Sequence, residues 1–444
     1  MTTIFKLFPI PLLLCIALTS RAQTDTLEVS LKQAMAYATE FGYQSINAQT
    51  DIEIARKKVR ETLAIGLPQV NASADFSKYL KVPKVILDAT TFDPNAQEGD
   101  IFEAEFAQPY GLASDLNVTQ LLFDGSYFVG LQASKVYVRL SDNVKEKTDI
   151  ELKQAVAEAY FIALVAQQNI SEFKKSLEVN KKTLKQTKAY FENGFKEDID
   201  VDQMRLMVNE SERLYTDALN QEQIAIAILK FAMGYAIEKP LKLTDKINGL
   251  LDFISITPMD SRDIKSHIDY RSLITQIDIK NLDIKNQRAV AMPKLNAFFN
   301  YNYSMSGQEL SSLYDFDATL VGLSLSVPIF SSGQRSAQMK QKKLELKKLD
   351  SDRSMLEQSL KRDLLVAETN LENARQQFNN AKLSKEISKR IYDKSLIKFE
   401  NGMMNSLQLS QNENNMVEAI ILFSQASSNY FNRYIQYQKA TSQL

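Results

Sequence analysis

The apolar positions of this chain fall into two long seams of the same spacing. Leu152, Val156, Ala159, Ala163, Ala166, Ile170, Phe173 and Leu177 are separated alternately by four and three residues, with Leu184 and Phe191 one heptad apart beyond them. Leu360, Leu364, Ala367, Leu371, Ala374, Phe378 and Ala381 repeat that spacing 208 positions later. A mean period of 3.5 residues keeps one stripe of a helix turned toward a partner, as in a coiled-coil seam. Alanine at many of these positions lets helices approach closely while giving each contact little area. Residues 131–193 and 334–401 contain no glycine or proline, and the first glycine after each run closes the same tetrapeptide, Phe-Glu-Asn-Gly, at 191–194 and 399–402. Further runs free of both residues follow, at 195–233 and 403–444. The pattern predicts two long helical hairpins, each turning at Asn-Gly, because Asn and Gly tolerate the left-handed conformation that ends a helix. At ~1.5 Å per residue a helix of about 60 residues is ~90 Å long, too long for a compact globule.

Ahead of each seam the period switches to two. Leu67-Pro68-Gln69-Val70-Asn71-Ala72 matches Met292-Pro293-Lys294-Leu295-Asn296-Ala297, and each follows an amphipathic helical stretch. The first of these stretches opens with Ser30 and Gln33 in a capping-box arrangement. After the second proline, Leu295, Ala297, Phe299, Tyr301 and Tyr303 face one way and Asn296, Phe298, Asn300 and Asn302 the other. Val321, Leu323, Leu325, Val327 and Ile329 then alternate with Gly322, Ser324, Ser326 and Pro328. In the first half Val70, Ala72, Ala74 and Phe76 alternate, as do Leu116 and Val118, before the unbroken Leu121-Leu122-Phe123. Apolar residues on one face and small or polar ones on the other fit a transmembrane β-strand of about 9–11 residues.

Phe123 to Phe191 spans 68 positions and Phe330 to Phe399 spans 69, whereas Pro68 to Phe123 spans 55 and Pro293 to Phe330 only 37. The helices keep their length; the strand-to-strand connections do not, as expected of exposed loops. These loops are read at about 81–113 and about 304–317. Each half is thus helix, strand, loop, strand, long helix, turn, helix. The division is a first repeat at 23–240, a linker or equatorial region at 241–261 marked by Gly249 and Pro258, and a second repeat at 262–444. Four strands cannot close a barrel, and open sheet edges are not tolerated in lipid, so several chains must share one.

Composition sets the compartment. Lys6 followed by the apolar stretch Leu7 to Leu18 and by Ser20-Arg21-Ala22 reads as a secretory signal peptide over 1–22. Cys15, the only cysteine, lies inside it, which leaves no disulfide, thiol nucleophile or thiolate metal site in the remainder. Losing Lys6 and Arg21 takes the net charge from −1 to −3, so no basic field invites nucleic acid. Ile224 to Ile237, the best candidate for a membrane-spanning helix, is short and carries Lys230. An exported chain of this kind is either soluble beyond the inner membrane or inserted as a β-barrel. His267, the lone histidine, is placed on a helix before the second strand pair, without a partner for a zinc site or a nucleophile pair. No G-x-G-x-x-G or P-loop occurs, and no cofactor or metal is implied. Lys340, Lys342, Lys343, Lys347 and Lys348 read as a solvated helix face.

These elements together resemble the TolC family of outer-membrane efflux proteins. The segment Val321-Gly322-Leu323-Ser324-Leu325-Ser326-Val327-Pro328-Ile329-Phe330-Ser331-Ser332-Gly333 is similar to that family's last strand and its exit into the long helix, and the Phe-x-Asn-Gly turns are similar to its two periplasmic hairpin tips. The resemblance implies a mainly α protein with a transmembrane β-barrel portion, in which a homotrimer shares a 12-stranded barrel in outer-membrane lipid above an α-helical periplasmic tunnel. It implies passive conduction of substrates delivered by an inner-membrane transporter through a periplasmic adaptor, in efflux or type I secretion, and no enzymatic activity. It places adaptor docking at Asn193, Gly194 and Phe195 and at Asn401, Gly402 and Met403. It places the periplasmic constriction at Gln408 and Gln411, where the family's best-known member has aspartates. Of that member's closing lock of Tyr, Arg and Asp, the matching positions here are Phe399, Met404 and Asp200, so only the aspartate is kept. Phe cannot donate as Tyr does, and Met404 cannot make charge-assisted bonds. Asp198, Asp200 and Asp202 read either as an acidic rim or as charges favouring the start of the next helix. The alternative function is a periplasmic coiled-coil adaptor or a structural envelope protein, against which stand the paired hairpins and the alternating strands.

Overall fold

The computed structural model describes residues 26–91, 94, 96–99, 101–252, 254 and 264–444. The expected signal peptide and Pro258 of the linker lie outside them. In chain order the elements are β1 (Leu27–Val29), α1 (Leu31–Phe41), α2 (Tyr43–Ala64), β2 (Gln69–Lys78), β3 (Val85–Asp88), β4 (Ile101–Ala104), β5 (Tyr110–Asp124), α3 (Gly125–Glu192) and α4 (Asp198–Met233). Then follow β6 (Leu241–Leu243), α5 (Ile247–Asp252), α6 (Ile268–Ala289), β7 (Lys294–Gly307), β8 (Tyr314–Ser326), α7 (Gln334–Glu400) and α8 (Ser406–Ala440).

The two long helices are there: α3 has 68 residues and α7 has 67. The first starts earlier than the glycine-free run, because Asp124 caps it, its side chain accepting from Ser126 N–H at 2.7 Å. The capping box at Ser30 and Gln33 forms in both directions. Along the seam of α3, Leu152, Val156, Ala159, Ala163, Ala166, Phe173 and Leu177 are buried, as are Leu364, Leu371 and Ala374 on α7. Phe191 departs from the seam and is exposed. His267 stands just outside the helix assigned to it, as the N-cap of α6, its Nδ1 accepting from Asp269 N–H at 3.3 Å. Burial holds its pKa below the usual histidine range, against the nearby charge of Asp269.

β2, β5, β7 and β8 form one antiparallel sheet in that order. Its register gathers the alternating residues onto two faces. Ala72, Leu116, Tyr301 and Thr319 are consecutive cross-strand neighbours on one face, and Val70, Val118, Phe299 and Val321 on the same face one step along. Asn71, Asn117 and Asn300 lie opposite each other on the other face, where Asn302 Nδ2 also donates to Asp115 at 2.8 Å. The strands differ from the expected bounds in three ways. β7 and β8 run on toward each other, leaving 308–313 as their connection rather than 304–317. β8 ends at Ser326, short of Val327 and Ile329, because Pro328 has no N–H to continue the ladder. The apolar triplet at 121–123 breaks alternation because a bulge leaves Leu122 without a register partner. The longer connection is not plain loop: β3 and β4 pair within it, and β5 begins at Tyr110.

The linker region is also structured, since β6 pairs in parallel with β1. Around this strap lies the largest core, joining Val29, Tyr160, Phe161, Leu229, Met233, Leu251 and Phe431. Phe161 and Phe431 stack with centroids 4.2 Å apart, tying α3 to α8. The Tyr160 hydroxyl donates to Val29 O and to Asp245, both at 2.9 Å, and the Asp245 carboxylate accepts from Leu31 N–H at 2.7 Å. No helix among the described residues is long and apolar enough to cross a membrane.

Candidate functional site: the hairpin tips

The two Phe-Glu-Asn-Gly segments stop their helices with the same set of bonds. At the first, Gly194 N–H donates to Phe191 O at 2.9 Å and Phe195 N–H to Tyr190 O at 2.8 Å. At the second, Gly402 N–H donates to Phe399 O at 3.0 Å and Met403 N–H to Lys398 O at 2.8 Å. This is the Schellman arrangement, which satisfies carbonyls that the end of a helix would leave unpaired and requires a left-handed residue after the cap. Gly194 has φ +81° and Gly402 φ +71°. Each asparagine adds a side-chain bond, Asn193 Nδ2 to Ala189 O and Asn401 Nδ2 to Ile397 O, both 2.7 Å. The tetrapeptide recurs because one turn chemistry is used twice.

Beyond the stops, Phe195 is 77% exposed and Met403 70%. Ile199 and Leu407 are also exposed, and with Gly194, Phe195, Asp200 and Gln203 they line a groove of about 610 Å³ between the starts of α4 and α8. The first tip therefore presents an apolar side chain, Phe195, and the backbone of Gly194 to this groove, and the second tip exposes Met403.

The other predicted positions separate into two groups. Phe399 is only 3% exposed, in a cluster with Phe173, Met204, Tyr392 and Leu409 on which Met404 packs. The Lys196 ammonium lies 4.2 Å from the Phe399 ring centroid, where the ring's negative face attracts it. Gln408 and Gln411 are on the exposed face of α8. Gln408 N–H donates to the N-cap Asn405 at 2.9 Å, and Gln411 Nε2 to Asn415 Oδ1 at 3.1 Å. Asp198 and Asp200 are in the first turn of α4, where the helix dipole favours anions, and Asp202 pairs with Arg205 at 2.7 Å. The structure thus brings Phe399 and Met404 together in the apolar interior, with Asp200, Gln408 and Gln411 outside it.

Above the tips, a row of polar contacts that the seam spacing does not reveal joins the two hairpins. Ser424 Oγ donates to Asn169 at 2.7 Å, Lys385 pairs with Glu172 at 2.9 Å, and Ser176 Oγ and Asn180 Nδ2 donate to Glu413. Burial pushes the Glu172 carboxyl up, but the hydrogen bond and charge of Lys385 outweigh it and the net pKa is lowered. Burial dominates at Glu413 and raises its pKa, against the donors Asn180, Ser176 and Ser211. A signal is present in the sequence: the heptad falls on Asn180 and Thr187 where an apolar seam would continue, and both are buried.

The outer membrane efflux protein family matches this chain over residues 46–235 and 267–442. The alkaline protease secretion protein AprF of Pseudomonas aeruginosa is 25% identical over 236 residues, 51% of this chain and 48% of that protein, so the chain spans about half the length of the curated relative it matches. Among solved structures, CusC superposes with a TM-score of 0.70 at 15% identity, covering 96% of this chain and 95% of that one. The outer membrane channel CmeC of Campylobacter jejuni gives 0.67 at 17% identity, covering 93% and 85%. The open state of the Neisseria gonorrhoeae MtrE outer membrane channel gives 0.68 at 17%, covering 93% and 88%. At these identities the likeness is one of fold.

Proposed function

The chain belongs to the outer membrane efflux protein family, and from that premise we propose that it is one third of a trimeric exit duct serving an efflux or protein-secretion pump. The observation that carries this reading is the four-stranded sheet with two unpaired edges, β2 and β8, set on helices of 68 and 67 residues. In lipid every backbone group needs a partner, so the edges of one chain pair with those of the next, and three chains close a barrel of twelve strands. The apolar face of the sheet turns to lipid and the Asn71, Asn117 and Asn300 face to a water-filled lumen. At ~1.5 Å per residue the long helices carry the duct ~100 Å away from the barrel.

The tips, on this reading, receive a periplasmic adaptor. Phe195 and Met403 supply exposed apolar contact, and Gly194 and Gly402 leave open space beside the backbone. Gln408 and Gln411 line the constriction, while Phe399 and Met404 hold the hairpins behind it from inside the protomer rather than across chains. Replacing carboxylates with amides there leaves a narrowing that hydrogen-bonds water without fixing a charge. The energy for transport comes from the inner-membrane partner; nothing in the duct is consumed.

Single-channel recording of the purified protein in a planar bilayer, alongside its mass in detergent, tests the proposal. The expected result is a threefold mass and small steady currents that rise when Gln408 and Gln411 are both replaced by Ala. A monomeric protein that never inserts would sink the duct, and a trimer whose current ignores these positions would sink the constriction.

A further inference from the structure

Glu413 is the one acidic residue in a seam of α8 otherwise made of Leu409, Met416, Ile420, Phe423, Ser427 and Tyr430, and it is 4% exposed. Its Oε1 accepts from Ser176 Oγ on α3 at 2.9 Å, from Asn180 Nδ2 on α3, and from Ser211 Oγ on α4 at 3.5 Å. Asn180 Oδ1 in turn accepts from the Tyr392 hydroxyl on α7 at 3.2 Å. Asn180 Nδ2 also donates to Ser211 Oγ at 2.6 Å, so through Asn180 the carboxyl is linked to all four hairpin helices, eleven residues beyond the tip glycine Gly402. Its hydrogen-bonding partners are all neutral, and a charge buried against neutral donors alone is costly. The surrounding charges do not relieve it. Glu210 on α4, whose own carboxyl is held low by Arg213, disfavours a second anion here. Tyr392 on α7 is buried and held in its neutral form, first by burial and then by the charge of Glu413 itself. On the α3–α7 side Lys385 is engaged by Glu172, whose charge Lys389 and Lys175 also face. Glu413 also lines the groove between α4 and α8, with Glu210 and Glu418, which gives a proton a way in.

We propose that Glu413 is a proton-operated latch: protonated, it fastens the second helical hairpin to the first just above the tips, and ionised, it loosens them. The direction follows from linkage. Because the packed state holds the proton more tightly than an opened one, the packed state is favoured fully below the ordinary carboxylate range. That advantage is lost as pH rises through the raised value. Opening of the tips would then be easier at neutral than at acid pH; this consequence rests on the duct reading, the latch does not.

Amide hydrogen exchange of the full-length protein in detergent, corrected for intrinsic chemistry, measures the latch on residues 406–420. From pH 5 upward native protein is expected to lose protection, by about tenfold for each unit separating the packed and opened pKa values. Glu413→Gln, which keeps the shape and the acceptor oxygen, is expected to hold its pH 5 protection throughout. Ser176→Ala, which keeps the carboxyl and removes a donor to its charged form, is expected to move the midpoint to higher pH. An identical pH profile in native and Glu413→Gln protein would overturn the latch, and so would an unmoved midpoint in Ser176→Ala. Failure of the duct reading would leave these exchange rates untouched, because they are read on the helices and not on a current.

Discussion

Phe191 and Phe399 hold the same place in a repeated tetrapeptide and live in opposite environments, 42% and 3% exposed. The heptad puts both on a seam, which is as far as spacing reaches. What divides them is which side chains arrive from elsewhere: Met204 of α4, Leu409 of α8 and Met404 surround Phe399, and Lys196 crosses its ring. Those contacts include residues about 200 positions away in the chain and leave no trace in the local pattern. The turn itself is different. Asn-Gly after a long glycine-free run forecasts a left-handed helix stop at both sites, and the bonds there are the ones that chemistry requires. Removing the two rings separates the environments. Phe399→Ala is expected to cost about 3–5 kcal/mol of local stability, as for an aromatic lost from a packed core. Phe191→Ala, at an exposed site, is expected to stay within about 0.5 kcal/mol. Limited proteolysis at the tips reads the difference, and equal susceptibility of the two variants would count against it.

The elements show which parts of the fold a period can announce. Helices α3 and α7 are legible because a 3.5-residue repeat sustained over many turns fits a long packed helix and neither a strand nor a loop. Strand ends are less so. Alternation continues through Val327 and Ile329 while the ladder stops at Ser326, since side-chain period says nothing about whether a backbone N–H is available. The polar row from Asn169 to Ser176 runs beside a seam whose own positions, Ile170, Phe173 and Leu177, stay apolar, so spacing hides it; only at Asn180 does a polar residue take a heptad position, where a coiled coil can place a buried network. The two faces of β8 give a direct test of the lipid assignment. Val321→Arg, on the apolar face, is expected to destabilise the inserted state by ~2–4 kcal/mol near mid-membrane. Ser324→Arg, on the opposite face, is expected to insert as the native protein does. The fraction of folded protein in outer-membrane preparations distinguishes them, and equal insertion of both variants would reassign the faces.

At the scale of the whole chain, the order of elements is legible and their mutual contacts are not: the pairing of β1 with β6 joins segments more than 200 residues apart. Proline and glycine at 240–258 suggest only a linker there. The connection holding β3 and β4 is the reverse case, since the register from Lys78 opposite Tyr110 is already complete without it. For the trimer proposed above, replacing residues 81–107 by a short Gly-containing turn is expected to leave its mass and heat stability unchanged, checked by light scattering and by gel mobility before and after heating. A loss of trimer would mean that this small hairpin helps close the barrel. The exposed edges of β2 and β8 bear on the history of the molecule as well as its final state. On the proposed trimeric duct, a newly arrived copy would carry two rows of backbone groups that neither lipid nor its own sheet can satisfy, and would have no resting place in the membrane by itself. Insertion and association would then be one event, whose rate depends on how often copies meet. A cell that makes too few would accumulate stranded chains with adhesive borders, a substrate for chaperones and proteases rather than a slower supply of finished pores.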